Sequence, residues 1–463
     1  MNYLPRIIDG HLTAWASNSH RKPLLLRGAR QVGKSWAVRH LGENFSSFLE
    51  INFEKNPEFK EIFRQNLDIG RIVSEISILT NKRIIDGETL MFFDEIQACP
   101  EAIMSLRFFK EERPGLHIIA AGSLLEFTLA EIPTFGVGRI HSIFMYPMTF
   151  DEFLMANEQD MLLEARDNAS FEKPLSKVVH EKFIELFRLY ILVGGMPEVV
   201  ASWVRSHDYL TCQEIQNDII IGYEDDFAKY RKKVNIELLR KVFHGTAYQI
   251  TKKFTYADIG GGYKTYEVKE ALDLLCKAGL LYTVGRTAAN GFPLGGESDR
   301  NNFKILTLDP GLTLRLLDMT ADDTLKMNQE ILTSTASELV NKGPLAELIA
   351  GLEIMRYRNP NIRHNLYYWA RDARNSLAEI DYIVNLDEKI VPIEIKAGTK
   401  GGMKSLWIFM NEKHLDVAIR CSLENIGAFS RIDPAQPGEI RNVLIVPLYA
   451  VSRIGHLFSI NKS

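Results

Sequence analysis

The sequence predicts an α/β fold built around a phosphate-binding loop, followed by a helical middle and a second α/β region. Three observations lead there. Gly28 to Ser35 reads GxxxxGK[ST] between a short apolar run and a breaker-free run. Thr89 to Gln97 sets the apolar residues Leu90 to Phe93 directly ahead of Asp94-Glu95. Glu379 to Val384 and Val391 to Lys396 read as strands with charged residues two apart, hence on one face.

Composition bounds the rest. The chain has 463 residues, 46% hydrophobic, 25% charged and 10% aromatic, with a formal net charge of −4. These are average values for a soluble globular protein and exclude disorder, collagen-like repeats and low complexity. At about 150 residues per domain, the length suggests about three domains. The near-neutral total argues against a whole-protein polyanion binder but leaves room for a local basic surface. The longest apolar stretches, Leu116 to Leu125 and Tyr190 to Met196, fall short of the ~20 residues of a membrane-spanning helix, so no membrane association is expected. Met1 to Gly10 carries Arg6 and Asp9 and no apolar signal core. Cys99, Cys212, Cys276 and Cys421 form no CxxC pair, which suggests neither zinc nor disulfides and points to a reducing cytoplasm.

Pro23 to Leu26 reads as a buried strand and Ser35 to Leu41 as a helix, the context that the glycine loop requires. Gly28, Ala29, Arg30, Gln31, Val32, Gly33, Lys34, Ser35 and the adjoining Trp36 are therefore the candidate nucleotide contacts. The glycines let backbone N–H groups face phosphate oxygens, and the helix N-terminus adds its partial positive charge. Lys34 would reach the β- and γ-phosphates, and Ser35 would ligate Mg²⁺. In the second apolar run, Asp94 would hold the Mg²⁺ shell and Glu95 would orient the attacking water. The third strand, His117 to Ala121, ends in Gly122-Ser123. Ser123 reads equally as a γ-phosphate sensor or as a helix N-cap. Arg139, in Gly136-Val137-Gly138-Arg139, either stabilises transition-state charge or is a surface arginine beside a strand.

The order GxxxxGKS, LMFFDEIQ, IIAAGS and GR…MYPMTFDEFL resembles AAA+ ATPases of a prokaryotic family whose C-terminal domain has a long-unassigned function. Gly194-Gly195-Met196-Pro197-Glu198 resembles that family's GG-x-P-E motif, and Phe303 to Leu312 resembles its F-K-hydrophobic-D-x-GL stretch. The resemblance covers essentially the whole chain. It implies a three-layer αβα P-loop ATPase core (1–150), a helical lid (151–228), a winged-helix-like module (229–325) and a PD-(D/E)xK, restriction-endonuclease-like domain (326–463). ATP or ADP and Mg²⁺ are the implied cofactors. AAA+ modules often form rings in which a neighbouring copy supplies an arginine, and Arg139 is the candidate here. Arg166, Arg188 and Arg205 stand in the lid segment, none in a distinctive motif.

Asp151 to Tyr230 is helical and charged, broken by Gly194-Gly195 and Pro197. Lys229 to Lys253 is locally basic, including Arg231, Lys232 and Lys233. Thr255 to Ile259, a glycine turn and a helix from Thr265 to Cys276 then precede two expected wing strands, Leu280 to Val284 and Phe303 to Leu308. The second helix offers Lys264, Lys269 and Lys277 beside Glu267, Glu270 and Asp273. That mixed charge is no strong phosphate stripe, so DNA contact and protein contact both stay open.

A hairpin of the two late strands would bring Asp381 near Glu394 and Lys396. Two carboxylates can hold Mg²⁺ and a lysine can stabilise the phosphate transition state. The set resembles the D…ExK core of PD-(D/E)xK nucleases, with Glu347 matching their helix-borne acid. A solvated strand face is the plain alternative. The expected function is a Mg²⁺-dependent ATPase that couples nucleotide state to domain rearrangement on or near DNA. The rivals are an ATP-gated DNA nuclease and a non-catalytic, nucleotide-bound regulatory switch.

Overall fold

The computed structural model describes residues 3–123, 125–131, 138–230, 234–317, 343–373, 376–398, 402–432 and 439–460. They form two compact units: 1–148 with the short segments 277–280 and 359–363, and 149–276 with 281–358 and 364–463. The segments expected as lid, winged helix and nuclease-like domain thus fall in the second unit apart from 277–280 and 359–363.

The first unit holds five strands: β1 (Leu24–Arg27), β2 (Ser47–Asn52), β3 (Thr89–Asp94), β4 (His117–Ala121) and β5 (His141–Phe144). They make an all-parallel sheet ordered β2-β3-β4-β1-β5. Parallel strands need both faces covered, which explains the unbroken apolar runs of β1, β3 and β4. Every residue of β3 and β4 is buried. Met91, Phe93, Ile118 and Ala120 point to one face. There they pack with Phe59, Ile62 and Phe63 of the helix Glu58–Gln65 and with Ile69, Ile72 and Ile76 of the helix Ile69–Thr80. The helix Lys34–Gly42 leaves directly from the end of the glycine loop after β1.

In the second unit, Thr149 and Glu152 form a reciprocal cap at the start of the helix Phe150–Ala156. The long helix Lys177–Val193 stops at Gly194, and Pro197 opens the next helix, Pro197–Ser206. The helices Ile236–Tyr248, Tyr256–Gly260 and Thr265–Lys277 follow. After them comes the antiparallel pair β6 (Leu281–Thr287) and β7 (Ser298–Thr307).

That pair is not a free wing. β8 (Leu366–Ala373) lies parallel to β6 and joins the pair to a larger sheet. The remaining strands are β9 (Ser376–Leu386), β10 (Lys389–Ile395), β11 (Val417–Ser422), β12 (Gly427–Ile432) and β13 (Ile440–Pro447). Together they form a mixed eight-stranded sheet ordered β12-β13-β11-β10-β9-β8-β6-β7. The helix Lys404–Glu412 seats Leu406, Phe409 and Met410 against Trp369, Ile380 and Ile383 of the sheet.

Arg231, Lys232 and Lys233 of the basic stretch, Gly136 and Val137 of the arginine loop, and 326–342 of the expected nuclease-like domain lie outside the described residues.

Candidate functional site

The glycine loop joins β1 to the helix Lys34–Gly42, and its backbone accounts for its sequence. Gly28 sits at φ +149°, where a Cβ would come within 2.1 Å of the Met145 carbonyl oxygen, so only glycine fits. Gly33 takes φ +97° at the helix N-cap. Arg6 braces the loop from outside: its guanidinium donates to the carbonyls of Val32 (3.0 Å) and Tyr146 (2.8 Å).

Lys34 is buried and donates from Nζ to the carbonyls of Gly28 (3.0 Å) and Ala29 (2.6 Å). Burial lowers its pKa to about 8, against the pull of Glu95 and Asp94. Ser35, one residue on, donates from Oγ to Asp94 Oδ1 at 3.2 Å. β4 lies between β1 and β3 in the sheet, yet the loop brings Ser35 back to the C-terminal end of β3. The other oxygen of Asp94 accepts from Asn52 Nδ2 at 3.0 Å. Burial and neighbouring Glu95 raise the Asp94 pKa, and the two hydrogen bonds oppose that rise. A hydroxyl and a carboxylate meeting in a partly dry corner are hard oxygen donors, the set that suits Mg²⁺.

Glu95 turns out of the strand at φ +49°, a conformation that costs energy for a side-chain-bearing residue. Its Oε2 accepts from Gln97 Nε2 at 2.6 Å and, at 3.5 Å, lies at the limit of reach of the Ser123 backbone N–H. Ser123 therefore stands beside Glu95. Trp36 is half exposed, with Arg39 5.9 Å from its ring centre. Arg30 and Gln31 are exposed on the loop. Arg139 is exposed and ion-paired with Glu111. Arg166 is spent on a buried pair with Asp151 in the second unit.

Residues 20–154 match the family model described as "AAA domain". This segment is a nucleotide-binding ATPase domain. Two further models match: a "Domain of unknown function (DUF8612)" over residues 184–323 and a "Domain of unknown function (DUF4143)" over residues 342–427. No curated protein matches the sequence. Among solved structures, the Walker-type ATPase PABY2304 of Pyrococcus abyssi aligns at 16% identity and a TM-score of 0.43, over 68% of this chain and 96% of that one. A RuvB variant of Thermotoga maritima aligns at 16% identity and a TM-score of 0.28, over 61% and 89%.

The C-terminal set also assembles. β9 and β10 are antiparallel with Tyr382 opposite Ile393, and Asp381 Oδ2 accepts from the Ile395 N–H at 2.7 Å. Lys396 pairs with Glu394. Glu347 reaches the group from the helix Gly343–Arg356. The four expected residues are thus brought near one another, with an addition that sequence reasoning missed. Lys304 of β7 enters the cluster, 2.7 Å from Glu347 Oε1, 2.6 Å from Glu379 Oε1 and 3.9 Å from Asp381 Oδ1. Burial pushes the Glu347 carboxyl well up and the Glu394 carboxyl to about 7, with Asp381 adding to both. No group of three or more His, Cys, Asp or Glu among the described residues is arranged to hold a metal ion.

The residues missed at the first site are Arg6, Asn52 and Gln97. Asn52 had a signal: it is the polar end of an alternating strand, and in register it faces Asp94. A lysine inside the apolar run Phe303 to Leu308 was the corresponding signal for Lys304.

Proposed function

We propose that this chain is a Mg²⁺-dependent ATPase whose nucleotide state governs the rest of the protein. The observation that carries the reading is the meeting of Ser35 with Asp94 while Glu95 turns out beside Ser123. Mg²⁺, held by Ser35 and Asp94, would offset phosphate charge. The backbone N–H groups of Gly28 to Ser35 and the Lys34 ammonium bind the β- and γ-phosphates. Glu95, oriented by Gln97, holds the water for attack on the γ-phosphate, and Ser123, whose backbone N–H lies near Glu95, is the proposed sensor of that phosphate. Arg139, exposed in its pair with Glu111, is proposed to serve a nucleotide held by a neighbouring copy.

Replacing Lys34 with alanine tests the binding half of this reading. Titration with a fluorescent ATP analogue should show at least about a tenfold loss of affinity. Unchanged affinity and turnover would remove the assignment.

DNA is the proposed partner of the second unit. The succession of the helices Ile236–Tyr248, Tyr256–Gly260 and Thr265–Lys277, with Lys241 and Lys269 exposed on them, supports this by its likeness to a helix-turn-helix, while the hairpin that follows belongs to the larger sheet. The mixed charge of the helix Thr265–Lys277 predicts weak, strongly salt-dependent binding.

A further inference from the structure

Lys304 is an unusual residue for its place. It sits in mid-strand, its side chain is 1% exposed, and Glu347, Glu379 and Asp381 surround its ammonium group. The Tyr368 ring closes another side, 5.1 Å from Nζ. Burial alone would drive a lysine toward neutrality, but the three carboxylates more than offset it and raise its pKa above the ordinary value. The carboxylates need the lysine just as much. Asp381, Glu347 and Glu379 in one pocket would otherwise repel one another in a poorly screened setting. The charge that a divalent cation would supply in a nuclease-like site is thus already supplied by the chain.

The geometry makes the two cations exclusive. Mg²⁺ ligates carboxylate oxygens at about 2.0–2.1 Å. The Lys304 nitrogen lies within 2.7 Å of oxygens of Glu347 and Glu379. A metal on either oxygen would stand at most about 4.8 Å from a buried ammonium, a like-charge approach in a poorly screened setting that opposes its binding. Lys304 is also not loosely placed. Its strand pairs with β6 through Val284, and five residues on the chain is fixed again by Asp309, fully buried, which accepts from the Gly195 N–H at 2.6 Å. One carboxylate oxygen, Glu394 Oε2, is buried with no hydrogen-bond partner, and Lys396 takes the other.

We propose that Lys304 is the resident cation of this cluster: its ammonium takes the place of a divalent metal at Glu347 and Asp381 and keeps the C-terminal site from binding metal and cleaving nucleic acid. The inference does not depend on the glycine loop. It turns the carboxylate set from a catalytic centre into an internal ion cluster joining β7, β9 and the helix Gly343–Arg356.

Mn²⁺ binding measured by calorimetry on the full, nucleotide-free chain tests it. The unaltered protein and Asp381→Asn should bind Mn²⁺ alike. Lys304→Gln should gain one site, which Lys304→Gln/Asp381→Asn loses again. Asp381-dependent Mn²⁺ binding or Mn²⁺-dependent plasmid cleavage by the unaltered protein would overturn the proposal. So would a folded Lys304→Gln that gains no site. If Lys304→Gln is too unstable for titration, melting decides. Lys304→Gln/Glu347→Gln should melt above Lys304→Gln, because removing a carboxylate relieves the repulsion left behind. A double variant no more stable than the single one would overturn the ion cluster.

Discussion

Lys34 illustrates how burial sets the working range of a single side chain. With its pKa lowered to about 8 by burial, the ammonium is charged at neutral pH and neutral in mild alkali. Phosphate oxygens favour the charged form, so nucleotide binding at Lys34, as proposed, would raise this pKa. On that proposal the contribution of Lys34 to affinity would be complete below about pH 8 and lost as the pH rises through and beyond it, by up to about tenfold per unit. ATP titrations at a series of pH values between roughly 7 and 9.5 should show this loss, and a flat profile would contradict it. The glycine loop between β1 and the helix Lys34–Gly42 was legible in the sequence because its backbone admits only glycine at Gly28 and favours it at Gly33. Arg6 was not, because it acts through a partner far along the chain, the Val32 carbonyl, and Asn52 showed only as the polar end of an alternating strand, with nothing to name Asp94 as its partner. No local pattern reports such a pairing. Lys304 is the strongest case, since its three carboxylates come from Glu347, Glu379 and Asp381.

At the scale of elements, apolar runs were a sound guide where strands are buried on both faces. β1, β3 and β4 lie where Pro23 to Leu26, Leu90 to Phe93 and His117 to Ala121 suggested. The hairpin of β6 and β7 was legible as two strands, but its membership of an eight-stranded sheet was not. That depends on β8, and β8 lies beyond the intervening helix Gly343–Arg356. The Gly194-Gly195 break looked like loop punctuation, and the structure gives it a stricter role. Gly194 has φ +73°, and a Cβ there would meet Asp309 Oδ1 at 2.2 Å. Asp309 in turn caps the helix Pro310–Leu316 through the Leu312 N–H at 3.1 Å. Gly194→Ala therefore combines backbone strain with a displaced buried carboxylate, and should cost about 2–4 kcal/mol. Gly222→Ala makes the contrast. It lies within the helix Tyr209–Asp226 with nothing within 4 Å of an added Cβ. That change should stabilise by up to about 1 kcal/mol. Denaturant unfolding of the two variants should give opposite signs, and equal effects would refute the role given to Gly194.

For the whole molecule, the near-neutral charge of −4 averages over opposed local features. One is the corner after the glycine loop where Lys34, Asp94 and Glu95 converge, and the other is a buried ion cluster around Lys304. The described chain divides into two compact units, and two short segments, 277–280 and 359–363, belong to the first although they lie in the sequence of the second. Such exchange leaves no mark in composition or periodicity. No described helix is long and apolar enough to cross a membrane, in keeping with the short apolar stretches. None of the four cysteines is in a disulfide. The central claim is that the corner formed by Ser35, Asp94 and Glu95 hydrolyses ATP. Steady-state hydrolysis by the unaltered protein and by Glu95→Gln, with ATP affinity measured for both, tests it most directly. The account predicts Mg²⁺-dependent turnover that falls about 10²–10⁴-fold in Glu95→Gln while affinity changes little. Equal turnover in the two proteins, or none in the unaltered one, would contradict it.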